Sequence, residues 1–197
     1  MAITLKQPHP VTDDEILALS RYNPGYQFER SAKGELIVTP AGGKSSRCSG
    51  EVFGQLRDWN RTTEGVVFDS SAGFRLGDGS LLSPDASWVA RERWDQLSAS
   101  EQEGFPPLCP DAVFEVASPS DRIGDLHAKM QAYLINGARI AVLIDPQNRV
   151  VYTYRPRTIQ RQPGHDMTET SFDQYATLSL APELPGLVLD LKSIFIA

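Results

Sequence analysis

The 197-residue sequence predicts an α/β fold, a mixed β-sheet core flanked by helices, on three observations. Short β-rich apolar runs alternate with segments whose apolar residues recur at helical spacing. Near the N-terminus YQFER (26–30) and ELIVTP (35–40) are joined by SAKG, which predicts an additional hairpin closed by a Gly-containing turn. A long helical segment separates DAVFEVA (111–117) from RIAVLID (139–145), and a crossover of that length joins parallel strands. Hairpins beside such a crossover make the sheet mixed.

The elements follow in order. Residues 13–21 form a short helix after Thr12, whose partner Glu15 three residues on makes a capping box. Ala41-Gly42-Gly43 breaks the chain after the hairpin. Residues 45–61 carry apolar side chains at 48, 52, 53, 56 and 59, which is helical spacing. GVVFDSS (65–71) and AGFRL (72–76) read as strands, and Gly77-Asp78-Gly79 as a turn. LLSPDASWVA (81–90) reads as one further strand, and the polar run 91–104 as a helix. SPSD (118–121) is expected to cap a helix over 121–136 that ends at Asn136-Gly137. RVVYTYR (149–155) pairs with 139–145 across the turn at 146–148, and the tail adds weaker strands. One domain, 1–197, accommodates all of this.

Composition narrows the function. The net charge of −6 argues against broad, passive adhesion to nucleic acid, though a local patch with a metal can still bind a polyanion. No run is long and apolar enough to span a membrane, and the N-terminus lacks the apolar stretch of a secretory signal. Cys48 and Cys109 read as free thiols in a reducing cytoplasm. Three scattered histidines give zinc no support.

The chemistry begins with Glu115, a carboxylate inside an apolar strand. Such a group is costly unless paired, protonated or metal-bound. Asp85, in SPDASWV, opens a second strand, and two acids at neighbouring strand ends can share one hard cation such as magnesium. On the helix, Ile123, Leu126, Met130, Tyr133 and Leu134 form an apolar stripe with Lys129 at its edge. A boundary lysine can bury its stem against a sheet and extend its ammonium along it. The bland readings are an edge-strand or Arg-paired Glu115, a Pro-Asp turn, and an Asp125–Lys129 surface pair. Together an Asp, a Glu and a Lys at one sheet end form a set that can cleave a phosphodiester. The acid pair also suits a glycosidase, in which Lys129 would have no part.

Pro84-Asp85 followed by Glu115 resembles the PD-(D/E)XK nuclease superfamily. More closely, the chain resembles the bacterial restriction-endonuclease family called Uma-two, in VVFDSSAGFRL (66–76), SPDASWV (83–89), FEVASPSD (114–121), KMQAYLINGARIAVLIDP (129–146) and LPGLVLDL (184–191). These stretches cover most of 40–191 in family order. The resemblance implies a restriction-endonuclease-like fold and a metal-dependent DNA endonuclease, with Mg²⁺ or Mn²⁺ on Asp85 and Glu115. The superfamily carries lysine at the position of Ala117, so the resemblance makes the helix-borne Lys129 its substitute. Glu51 on the first long helix stands where the superfamily often places an acid beside the metal; its bland reading is a polar-face glutamate. DNA is the implied partner. Arg149, Arg155, Arg157 and Arg161, interleaved with Tyr152 and Tyr154, could grip its phosphates or could simply guard a strand edge. Arg47, Arg57 and Arg61 could add to that face. Cutting both strands takes two active sites, so a homodimer is expected. The alternative is a catalytically inactive module of the same fold that binds DNA or a protein partner.

Overall fold

A computed structural model describes residues 2–40, 42–156, 165–171 and 177–195. Two main sheets organise it. The larger is six-stranded and comprises β4 (Val66–Asp69), β7 (Ala86–Val89), β8 (Ala112–Val116), β9 (Ile140–Asp145), β10 (Val150–Pro156) and β11 (His165–Ser171). Their order across the sheet is β11-β10-β9-β8-β7-β4. β8 and β9 run parallel, with Glu115 opposite Leu143, while the other pairings are antiparallel. The sheet is therefore mixed, as the crossover length predicts.

The predicted hairpin is present as β2 (Tyr26–Arg30) and β3 (Leu36–Pro40), but it is not an isolated addition. It joins β1 (Ile3–Leu5), β5 (Phe74–Arg75) and β6 (Leu81–Leu82) in a second, five-stranded sheet of order β1-β3-β2-β6-β5. Gly34 closes its turn with φ +81, a conformation L side chains rarely adopt. A third, two-stranded sheet pairs β12 (Thr177–Ser179) with β13 (Val188–Asp190).

The helices are α1 (Asp13–Tyr22), α2 (Gly43–Asn60), α3 (Arg91–Trp94), α4 (Ala99–Glu103), α5 (Ile123–Ile135) and α6 (Leu191–Phe195). Thr12 and Glu15 close the expected capping box on α1. α2 and α6 cover one face of the large sheet, where Phe114, Val116, Val142 and Ile144 meet Val52, Leu56 and Ile194. α5 covers the other, where Val113, Ala141 and Leu143 meet Met130, Tyr133 and Leu134. A smaller core of Val11, Ile16, Phe28, Leu36 and Leu81 sits between α1 and the second sheet. Among the described residues no helix is long and apolar enough to cross a membrane.

Three expectations are corrected. The run 81–90 is not one strand: it breaks at Ser83-Pro84-Asp85, leaving β6 in the small sheet and β7 in the large one. Pro84 lacks the N–H that an unbroken ladder would use. The run 91–104 forms two short helices, α3 and α4, because Ser98 and Glu101 start a new capping box. SPSD does not cap α5, whose N-cap residue is Arg122 without a side-chain bond. Asp121 instead accepts from the Ser118 N–H at 2.8 Å and ties the loop after β8 to itself.

Candidate active site

Strand alternation decides where Glu115 points. It shares parity with Val113, so it leaves β8 on the face covered by α5. There it is buried, 5% exposed, and needs partners. Two come from α5. Lys129 Nζ lies 2.7 Å from Glu115 Oε1, and the Tyr133 hydroxyl donates to the same oxygen at 3.0 Å. Positions 129 and 133 are one turn apart, so they share a face of α5. The Lys129 ammonium also stands 6.0 Å from the centre of the Tyr133 ring.

Asp85 arrives at the same place from the break between β6 and β7. Its Oδ2 accepts from the Val116 N–H at 2.7 Å, which fixes it beside the residue that follows Glu115. The third carboxylate is Glu29 of β2. Its Oε1 lies 2.9 Å from Lys129 Nζ and accepts from the Ser83 N–H at 2.7 Å. Both sheets thus contribute acids to one point, and Lys129 is the ammonium between them.

The electrostatics follow from three carboxylates around one cation. Burial pushes Asp85 up to about 6, against the Val116 N–H and Lys129, which pull it down, while Glu29 and Asp121 add repulsion. Burial also pushes Glu115 up; Lys129 pulls it back, and Asp85 and Glu29 oppose that pull. Burial lowers Lys129, but Glu115 and Glu29 more than reverse this, so the ammonium stays charged at neutral pH. The Tyr133 hydroxyl is held well above its ordinary range by burial and by Glu115.

The cluster forms part of a cleft of about 750 Å³ whose lining also includes Asp78, Asp121, Asp125 and many serines. Lys129 is the one Lys or Arg among the described residues that line it. The structure thus brings Asp85, Glu115 and Lys129 together. Asp125 lines the cleft and makes no ion pair with Lys129 among the described residues. Glu51 is half-buried on α2 and is not among the residues lining the cleft. Arg149 is exposed in the turn between β9 and β10, in the left-handed region at φ 55. Arg155 is held by Glu183 at 2.9 Å. Neither lines the cleft. Arg157 and Arg161 lie outside the described residues. Arg57 and Arg61 both meet Asp58, and Arg47 donates to the Ser193 carbonyl.

Sequence reasoning missed Glu29 and Tyr133. Glu29 carried the same signal as Glu115, an acid inside a β-rich run, but its hairpin reads as peripheral until the break at 83–85 shows how its sheet meets the large one. Tyr133 reads as one more member of the apolar stripe, which it is, with its hydroxyl spent on Glu115.

The residues fit a divalent cation in charge and donor type. Asp85 and Glu115 offer oxygen donors, and the surplus of carboxylate over ammonium favours a counter-cation. Although Glu29, Asp85 and Glu115 all lie near Lys129, they do not close into a cage: among the described residues no three His, Cys, Asp or Glu side chains form a group that could hold a metal ion by themselves. Two carboxylates with retained waters is the arrangement magnesium favours.

Comparison with known proteins bears on the fold and the family. A crystal structure of "a putative nuclease belonging to DUF820" from Anabaena variabilis superposes with a TM-score of 0.70 at 22% identity, covering 94% of this chain and 98% of that one. That likeness shows the restriction-endonuclease-like fold. No curated protein matches the chain. The Uma2 family, described as "Putative restriction endonuclease", matches residues 13–192, and the chain belongs to that family.

Proposed function

We propose that the protein is a divalent-metal-dependent DNA endonuclease that hydrolyses phosphodiester bonds at the Asp85–Glu115–Lys129 cluster. The observation that carries this reading is that Asp85 is bonded to the backbone N–H of Val116, the next residue along the chain from Glu115, whose carboxylate is paired with the buried Lys129 ammonium. Asp85 and Glu115 would hold Mg²⁺ or Mn²⁺. When bound, the cation polarises the scissile phosphate and acidifies a water. Lys129 is already protonated at neutral pH and has no lone pair to accept a proton from water, so its role is electrostatic: it stabilises charge that develops on the phosphoryl oxygens. Tyr133 and the Val116 N–H hold the two carboxylates in place. In this reading Glu51 is an accessory acid, and Arg149, Arg155, Arg157 and Arg161 contact DNA. A homodimer would supply the two sites that double-strand cutting takes. Two free, buried cysteines suit a cytoplasmic setting.

The second reading is a non-cutting module of the same fold. The acidic lining of the cleft favours it, since the described walls offer a phosphate backbone one cation. Nicking of supercoiled plasmid with Mg²⁺ and Mn²⁺ separates the two. The endonuclease reading expects cation-dependent nicking by the intact protein, abolished in Asp85→Asn and Glu115→Gln and reduced at least about 100-fold in Lys129→Met. Plasmid left intact under both cations, with no saturable Mn²⁺ binding in calorimetry with or without a short duplex, would refute it.

A further inference from the structure

Lys129 holds two carboxylates, and only one of them lies on the large sheet with Asp85. Glu115 carries conflicting duties. Its Oε1 already receives both the Lys129 ammonium and the Tyr133 hydroxyl, yet it is also the carboxylate placed beside Asp85. A carboxylate that turns toward a cation gives up part of its hold on a neighbouring ammonium. An ammonium left in a buried site without a partner is costly.

Glu29 removes that conflict. It is 4% exposed, and it comes from a different sheet. Its Oε1 is anchored by the Ser83 N–H at 2.7 Å, so it does not depend on Lys129 for its own position. Ser83 lies in the same break that delivers Asp85. One three-residue segment therefore orients an acid of each sheet. Lys129 reaches Glu29 at 2.9 Å and Glu115 at 2.7 Å from the same Nζ, so either acid can hold it.

We infer that Glu29 is a positioning residue: it keeps Lys129 in the site when Glu115 turns to a divalent cation. This rests on the cation site proposed above. Glu29 then acts on the cation only through the lysine, by sparing Glu115.

Mn²⁺ titration calorimetry on the full chain tests it as a double-mutant cycle, in the intact protein, Glu29→Gln, Lys129→Met and the double variant. Glu29→Gln is expected to weaken Mn²⁺ about tenfold when Lys129 is present, because the ammonium falls back on Glu115, and less than about threefold in the Lys129→Met background. An equal loss in both backgrounds would overturn the proposal, since Glu29 would then act on the cation directly. No loss in either would overturn it as well. If Glu29→Gln does not fold, Glu29→Asp enters the same cycle, keeping the charge at shorter reach. The two ideas fail differently: Mn²⁺ binding that is absent, or indifferent to Asp85→Asn, removes the cation site and this inference with it. Equal losses remove the inference alone.

Discussion

Lys129→Met is the most informative perturbation of stability. The side chain is 16% exposed and bridges two carboxylates that are themselves nearly sealed from water. Methionine keeps most of the apolar stem, so the change isolates the ammonium. Removing one partner of a buried ion pair costs about 3–5 kcal/mol, because the other is left uncompensated. Here the loss depends on pH. Without the ammonium, which pulls both down, the pKa values of Asp85 and Glu115 rise further above those of the unfolded chain. The native variant then binds more protons than the unfolded one above about pH 4, so its stability falls as pH rises. Lys129 itself contributes stability that is constant through this range, because its raised pKa is felt only in alkali. The gap between the intact protein and the variant is therefore expected near 3–5 kcal/mol at about pH 8, shrinking below about 2 kcal/mol at about pH 5. For a chain of this size that is a melting difference of roughly 10 °C at the higher pH. Urea unfolding at both pH values measures it. An equal loss at both would refute the reasoning, because a purely steric effect does not titrate.

Other consequences can be measured alongside. With Asp85 raised to about 6, cation affinity should climb as pH rises from about 5 to about 7, since a ligand carboxylate must be ionised; Mn²⁺ titrations at the two ends check this, and a flat profile would remove Asp85 as a ligand. Tyr133→Phe deletes one donor to buried Glu115 and should cost about 1–2 kcal/mol in urea unfolding; no measurable loss would mean that the carboxylate does not rely on that hydroxyl. Gly34→Ala forces a side chain into a positive φ and to within 2.6 Å of the Pro10 Cβ, so it should lower stability by more than about 1 kcal/mol in thermal melts. An unchanged melting point would show that the turn yields freely.

Much of this arrangement is legible in the sequence because local rules act on it. The capping box at Thr12 and Glu15 and the hairpin turn at Gly34 need only neighbouring residues. The parallel pairing of β8 and β9 follows from the length of the α5 crossover. Glu115 and Lys129 stand out because each breaks a local pattern, an acid in an apolar strand and a cation at the edge of an apolar stripe. The break at Ser83-Pro84-Asp85 is harder to see, since nothing local says that the two halves of one β-rich run belong to different sheets. Glu29 depends on that break, so it stays hidden with it. Arg155 is legible as a cation in a Tyr-rich run, but nothing local shows that Glu183, far along the chain, pairs with it.

The lysine shared between two sheets has a consequence for the molecule's mechanics. The Glu29–Lys129–Glu115 bridge is an electrostatic rivet between the N-terminal sheet and the central one. Linkage is reciprocal: whatever draws Glu115 away from Lys129 must change the free energy with which the N-terminal sheet is held, by the same amount that the sheet changes its affinity. Amide exchange in β2 and β3 therefore reads out, at a distance, what occupies the carboxylates of the other sheet.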